Sequence, residues 1–220
     1  MSQIEVKRRL LSENDEAAQF LRDRFRESGT LVVNLISSPG SGKTSLLEST
    51  IAAMAGTYRL AAVEGDIATE RDADRLRRHG IPARQIITGG ACHLDARQVR
   101  GELEKGDWGD PEILFIENVG NLVCPTSYDL GEDFKVVLLS VTEGDDKPFK
   151  YPGIFSRAAV AVITKVDLLP HVEFDMEAVR AQVETLSPDA RFLLTSVRTG
   201  EGVEEWCGLL AERLREKRKH

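Results

Sequence analysis

An apolar run, Leu31-Val32-Val33-Asn34-Leu35-Ile36, passes through eight mostly small residues, Ser37-Ser38-Pro39-Gly40-Ser41-Gly42-Lys43-Thr44, into an apolar-periodic stretch beginning at Ser45. Strand, tight loop and helix in that order form the setting of a phosphate-cradling P-loop. Small side chains let successive backbone N–H groups turn inward around an anion, and the helix N-terminus adds the positive end of its dipole. Gly40, Ser41, Gly42, Lys43, Thr44 and Ser45 are therefore expected around the phosphates of a nucleoside triphosphate. Lys43 is placed in a catalytic role at the β- and γ-phosphates, and the Thr44 hydroxyl is expected to ligate Mg²⁺. Ser37 stands where the usual pattern has its leading glycine, and it is small enough to serve.

The rest of the chain alternates strand and helix signals. Strands are expected near residues 59–64, 84–88, 113–116, 134–141, 158–164 and 191–195. Helices are expected near 12–28, 44–55, 71–79, 95–104 and 176–186, with a last one from Gly202. In the first helix Ala17, Phe20, Leu21 and Phe25 share a face, Ser12 is a candidate N-cap and Gly29 ends the segment. This order implies an α/β fold, a mostly parallel sheet with helices on both faces. Ligands of such sheets lie beyond the carboxyl ends of the strands. Glu64-Gly65-Asp66, Glu117-Asn118-Val119-Gly120, Thr164-Lys165-Val166-Asp167 and Thr195-Ser196-Val197 are therefore expected to converge on the nucleotide.

Composition excludes some functions. A net charge of −7 argues against nucleic-acid binding. No apolar run approaches the length of a membrane span, and Met1 to Lys7 show no signal-peptide core. Three cysteines do not suggest a disulfide framework, so a reducing cytoplasm is expected. Cys207, beside Trp206 and Leu209, reads as core packing.

Thr164-Lys165-Val166-Asp167 resembles the Asn-Lys-x-Asp guanine motif of GTPases. The carboxylate of Asp167 would accept hydrogen bonds from N1–H and the exocyclic amine of guanine, while adenine presents a mismatched edge. The Lys165 stem would lie along the base plane. Ser196-Val197-Arg198 resembles the second base-contacting loop, with Ser196 and Val197 nearest the base. Thr164 replaces the usual Asn, which leaves open a base contact and a tether to the P-loop. Asp66 and Glu117 are expected magnesium-sphere and catalytic carboxylates, Asp66 also orienting the attacking water. The backbone N–H of Gly120 is expected at the γ-phosphate. Helix capping by Asp66 or Asp167 remains the plainer alternative for each.

Cys92-His93 and Cys124-Pro125 follow consecutive predicted strands and can therefore meet. Thiolate and imidazole suit Zn²⁺ or Ni²⁺, and three ligands need a partner chain or water to close a tetrahedral site. Spacing alone favours the plainer alternative, buried cysteines and a Cys-His pair that arises by chance.

Pro39-Gly40-Ser41-Gly42-Lys43-Thr44, Glu64-Gly65-Asp66-Ile67, Gly89-Gly90-Ala91-Cys92-His93-Leu94, Glu117 to Pro125 and Gly144-Asp145-Asp146-Lys147-Pro148 together resemble the HypB family, GTPases that help deliver nickel to [NiFe]-hydrogenase. The resemblance implies a SIMIBI-type P-loop NTPase, a single GTPase domain over 1–220 with residues 1–28 as a helical lead-in, and hydrolysis of GTP to GDP and phosphate. It implies a nucleotide- or metal-dependent homodimer with Cys92, His93 and Cys124 binding Ni²⁺ or Zn²⁺ near the dimer interface. Hydrogenase maturation proteins and the hydrogenase large subunit are the implied partners. Lys147 would reach a partner's nucleotide or simply be exposed. Met1 to Gln19 hold no Cys or His, so the N-terminal nickel-storing stretch of some members is not expected. The urease accessory GTPase UreG would need a Cys-Pro-His motif, which these separated pairs do not form. A metabolite kinase would have no need of Asp167, and a nucleotide-gated scaffold would show no turnover.

Overall fold

In a computed structural model of the chain, which describes residues 3–66 and 71–219, the apolar run after Thr30 becomes a strand buried at all seven positions. This strand, β1 (Leu31–Ser37), is central in a sheet with β2 (Leu60–Asp66), β3 (Ala83–Ile87), β4 (Ile113–Glu117), β5 (Phe134–Ser140), β6 (Ala158–Thr164) and β7 (Arg191–Thr195). The order is β3-β2-β4-β1-β5-β6-β7, with every pairing parallel. The chain builds one side of β1 through β4 and the other from β5 onward. The carboxyl end of β1 is therefore the topological switch point, where a ligand crevice opens.

Helices cover both faces, and the two-residue period of β1 shows which side each helix takes. Leu31, Val33 and Leu35 pack with Leu46, Leu47 and Ile51 of α2 (Lys43–Met54), as does Leu76 of α3 (Arg71–Arg77). Trp206 and Leu210 of α8 (Val203–Lys217) complete that layer. Val32 faces the opposite side, against Leu21 and Phe25 of α1 (Gln3–Ser28) and Val99 and Leu103 of α4 (Ala96–Leu103). Ile36 meets Ile154 and Phe155 of the short helix α6 (Pro152–Phe155) and Val183 of α7 (Met176–Leu186); the remaining helix, α5, is the single turn Lys147–Lys150. Each fully buried aliphatic side chain contributes about 1.5–3 kcal/mol, so β1 alone anchors both layers. Cys207 packs at the margin of the first layer, where burial pushes its thiol up to about 11.

The expected strands and long helices are present, with three differences. Helix α1 begins at Gln3, so Ser12 lies inside it and caps nothing. Good helix formers precede Ser12 without a break, and a cap needs one. Phe20 is 44% exposed because Ala17, Ala18, Leu21 and Phe25 set the buried stripe and Phe20 falls at its edge, under the Arg100 guanidinium at 4.0 Å. The loops also fold into short helical pieces: 3₁₀ segments at Cys124–Ser127, Val141–Glu143 and Val166–His171, besides α5 and α6. Proline stands at the first or second position of four-residue pieces too short to show a period.

Trp206 is fully buried, and its indole N–H donates to Thr50 Oγ1 at 2.9 Å. Thr50→Val keeps the shape but orphans that donor, an effect of about 1–3 kcal/mol. Urea denaturation should show a lower midpoint with an unchanged slope; an unchanged midpoint would refute the assignment.

A candidate nucleotide and metal site

After Ser37 the chain turns through Gly40 and Gly42, at φ 80° and 94°. These left-handed values are open to glycine and costly to residues with a Cβ. Gly42 precedes α2 without offering a side-chain cap, so the first N–H groups of that helix are left for a ligand. Lys43, 7% exposed, folds back to donate to Ser37 Oγ at 2.8 Å. The serine in the leading-glycine position thus holds the lysine. Thr44 Oγ1 donates to Glu117 Oε1 at 3.0 Å.

A cavity of about 520 Å³ lies over this loop, lined also by Gly65, Asp66, Asp72, Arg75, Glu117, Gly120 and Lys165. A second, of about 370 Å³, shares Gly42, Ser45 and Lys165 with it and extends along Thr164, Asp167, Leu168, Val197 and Arg198. The four strand ends expected to converge do line these joined cavities or brace their walls. Ile67, Ala68 and Thr69, which continue the motif at Asp66, lie outside the described residues.

Glu64 and Glu117 are register partners on β2 and β4, both buried. Burial, reinforced by the charge of Glu117, raises Glu64 well above the usual carboxylate range, so Glu64 takes the proton of the pair. Burial raises Glu117 too, but Lys43 and its hydrogen bonds with Glu64 and Thr44 oppose it. Glu117 Oε2 has no hydrogen-bond partner among the described residues. A threonine hydroxyl beside a carboxylate with a spare buried oxygen fits a hard divalent cation, which prefers such oxygens.

At the other end, Asp167 is held by its neighbours. Ser196 Oγ donates to Asp167 Oδ1 at 2.6 Å, and Arg198 stands 3.9 Å from Oδ2. Lys165 adopts a left-handed φ of 59° and donates from Nζ to Gly40 O at 2.7 Å, so its stem crosses between the cavities. Such backbone strain in a non-glycine residue is concentrated at working sites. The tether left open at Thr164 is present: its hydroxyl donates to Ser41 O at 2.6 Å. The shorter side chain reaches the P-loop by itself.

Cys92, His93 and Cys124 come together, their ligand atoms all within 4.8 Å of one another. The two Sγ atoms lie 2.6 Å apart, and Cys92 Sγ lies 3.7 Å from His93 Nδ1. Asn121 Oδ1 accepts from the Val123 and Cys124 N–H groups and fixes the turn that presents Cys124. The His93 ring stacks on Tyr128 with centroids 3.9 Å apart. Burial lowers His93, so its imidazole is neutral and ready to coordinate, while the contact with Cys92 and burial push the Cys124 thiol up. All three residues are half-buried, which leaves the cluster open to a further ligand.

Asp72, Arg75 and Glu143 are not legible in the sequence as site residues, and Glu64 is expected at the site only as part of a strand end, without its carboxyl partner. Glu143 Oε1 lies 2.5 Å from Ser41 Oγ, and Arg75 pairs with Glu48 of α2 at 2.5 Å. The Glu64–Glu117 pairing becomes visible only once β2 and β4 are known to be neighbours. Lys147 turns toward its own chain, 5.6 Å from the Tyr151 ring centroid.

The family profile of the CobW/HypB/UreG nucleotide-binding domain matches residues 31–194. The hydrogenase maturation factor HypB of Azotobacter vinelandii is 49% identical over 203 residues, 92% of this chain and 67% of that one. The crystal structure of HypB from Archaeoglobus fulgidus superposes with a TM-score of 0.87 at 43% identity, over 92% of this chain and 99% of that one. HypB from Helicobacter pylori in complex with nickel also gives 0.87, at 42% identity over 93% and 96%. The signal recognition particle 54 kDa protein of Aeropyrum pernix shares the fold alone, with a TM-score of 0.58 at 15% identity. With the P-loop, the all-parallel sheet and the cysteine–histidine cluster in place, these likenesses assign the chain to the HypB family of SIMIBI-type P-loop NTPases.

Proposed function

We propose that this chain hydrolyses GTP to GDP and phosphate and uses the cycle to handle nickel for [NiFe]-hydrogenase as a nucleotide-dependent homodimer. The observation that carries the proposal is the position of Cys124, seven residues after Glu117, on the segment that runs from the P-loop threonine's partner to the metal cluster. In this reading the N–H groups of residues 40–45 and Lys43 hold the phosphates. Thr44, Asp66 and Glu117 would hold Mg²⁺, and the bound ion would offset charge on the phosphoryl oxygens. Asp66 also orients the attacking water, and Gly120 offers its N–H to the γ-phosphate. Asp167, positioned by Ser196, receives the guanine edge, while the Lys165 stem and Val197 bound the base. Nickel or zinc is the cargo of Cys92, His93 and Cys124, and two thiols with an imidazole suit either ion.

Two features support a paired state. Three ligands leave the cluster incomplete, and the exposed apolar side chains of Ile87 and Val123 lie on the segments leading to Cys92 and Cys124. The same HypB relationship supports transfer to other maturation proteins and the hydrogenase large subunit. No helix among the described residues is long and apolar enough to cross a membrane.

Four measurements check this reading. Asp167→Asn should weaken GTP about 10- to 100-fold, the loss of a charged hydrogen-bond acceptor, in a fluorescent-nucleotide titration. Xanthosine triphosphate, whose 2-carbonyl accepts from the new amide, should gain; retained GTP preference would count against the base assignment. Cys92→Ala should weaken Ni²⁺ by more than about 100-fold, beyond the loss typical of an outer-shell change, whereas Cys207→Ala should leave it unchanged.

Proton competition at Cys124 gives the pH profile its sign. The raised thiol stays protonated at neutral pH, the thiolate is the ligand, and each proton displaced costs about tenfold in affinity per unit of falling pH. Ni²⁺ affinity should therefore climb from pH 6.5 to 8.5, while a flat profile would exclude thiolate coordination. Burial lowers His93, so its imidazole contributes less to the slope than the thiol does. Mass measurement by light scattering should give a dimer with Mg²⁺ and a GTP analogue and a smaller species with GDP alone.

A further inference from the structure

The nucleotide and metal segments meet at one buried side chain. Asn118 is 1% exposed, and its Oδ1 accepts from the Leu94 N–H at 3.1 Å and from the Val119 N–H at 3.0 Å. Leu94 directly follows Cys92 and His93. On the other side, Asn118 Nδ2 donates to Asn34 Oδ1 at 3.4 Å, and the Asn118 N–H donates to Leu35 O at 2.9 Å, both on β1 just before the P-loop. Asn34 in turn donates to Glu132 Oε1 at 3.2 Å.

Packing leaves these groups little freedom. Leu94 is fully buried against Gly65, where a Cβ would come within 2.8 Å of Leu94 Cγ; Asp66 is the next residue. Gly120 abuts the P-loop, where a Cβ would come within 2.8 Å of Pro39 Cγ. Leu94 thus touches the Asp66 side of the phosphate cavity through its side chain and the Glu117–Gly120 side through its N–H. A buried donor that loses its acceptor bears the full desolvation cost. The Asn118 oxygen and the Leu94 N–H therefore move together, and so do the segments that carry them.

We propose that Asn118 is the positioning residue that couples the nucleotide pocket to the cysteine–histidine cluster, its carboxamide oxygen carrying displacement of residues 117–120 to the Cys92–His93 loop through Leu94. This rests on the two-site reading proposed above. Displacement through Cys124 covers one ligand only. Asn118 brings the other two into register with it, so that all three ligands respond to the γ-phosphate.

The test is a thermodynamic cycle on the full chain with Mg²⁺, titrating Ni²⁺ into the GDP-bound and GTP-analogue-bound forms. The wild type should show affinities differing roughly fivefold or more, the usual lower bound of allosteric coupling. Asn118→Leu fills the same space without an acceptor and should bring the ratio within about twofold of one. Asn118→Asp keeps an oxygen toward Leu94 and should retain the wild-type ratio. By reciprocity, Ni²⁺ must change the preference for GTP analogue over GDP by the same factor in each variant. Should Asn118→Leu fail to fold by circular dichroism, Asn118→Ala takes its place. A wild-type ratio of one overturns both this inference and the two-site reading. A coupled wild type with an equally coupled Asn118→Leu, or an uncoupled Asn118→Asp, overturns the role of Asn118 alone.

Discussion

The site depends on the burial of β1 on both faces. A strand clamped between two helix layers cannot tilt or slip, because a one-residue shift would exchange Val33 for Val32 and Asn34 across the sheet. Its carboxyl end is therefore a fixed point. The loop that leaves it has only glycine's left-handed conformations with which to turn back into α2, so the first N–H groups of that helix arrive in one orientation. Groups from several elements are referenced to that loop: Thr164 and Lys165 reach it from the end of β6, Glu117 from β4, Glu143 from the turn after β5 and Gly120 from the turn after β4.

The carboxyl pair beside Thr44 shows how burial assigns different states to identical groups. Glu64 has lost solvent and faces the Glu117 charge, which Lys43 offsets only weakly, so it is driven toward its neutral form. Glu117 faces Lys43 and Thr44 more directly and is better placed to carry the charge. One acid supplies an anionic oxygen to the cavity and the other supports it from behind. Among the described residues the same environment leaves Glu117 Oε2 without a hydrogen-bond partner, a cost that a cation bound there would remove.

Much of this was readable in the chain. The P-loop, the strand-helix alternation and the polar strand ends follow from period and composition, because a sheet buried on both faces writes continuous apolar runs such as residues 158–164. The base-recognition residues come instead from resemblance to known motifs, and the metal trio from strand order and ligand chemistry, strengthened by the family resemblance. What stayed hidden depended on lateral neighbours. Strand order brings Glu64 beside Glu117, a turn with no period presents Cys124, and the distance between a threonine hydroxyl and Ser41 O is a fact of packing. Phe20 lies at the edge of the buried stripe and not within it, because a stripe shifted by one position is compatible with nearly the same spacing.

The parallel topology has a consequence for how the protein comes into being. Partners in such a sheet are distant in sequence, so assembly is slow and late contacts come from both ends of the chain. In the proposed reading the guanine end of the pocket is contributed by β6 and β7, the last strands to be synthesised, and the phosphate end by β1, the first. A chain that held a guanine nucleotide in this way would thereby have completed its sheet, and ligand occupancy would double as a certificate of maturity for the molecule itself.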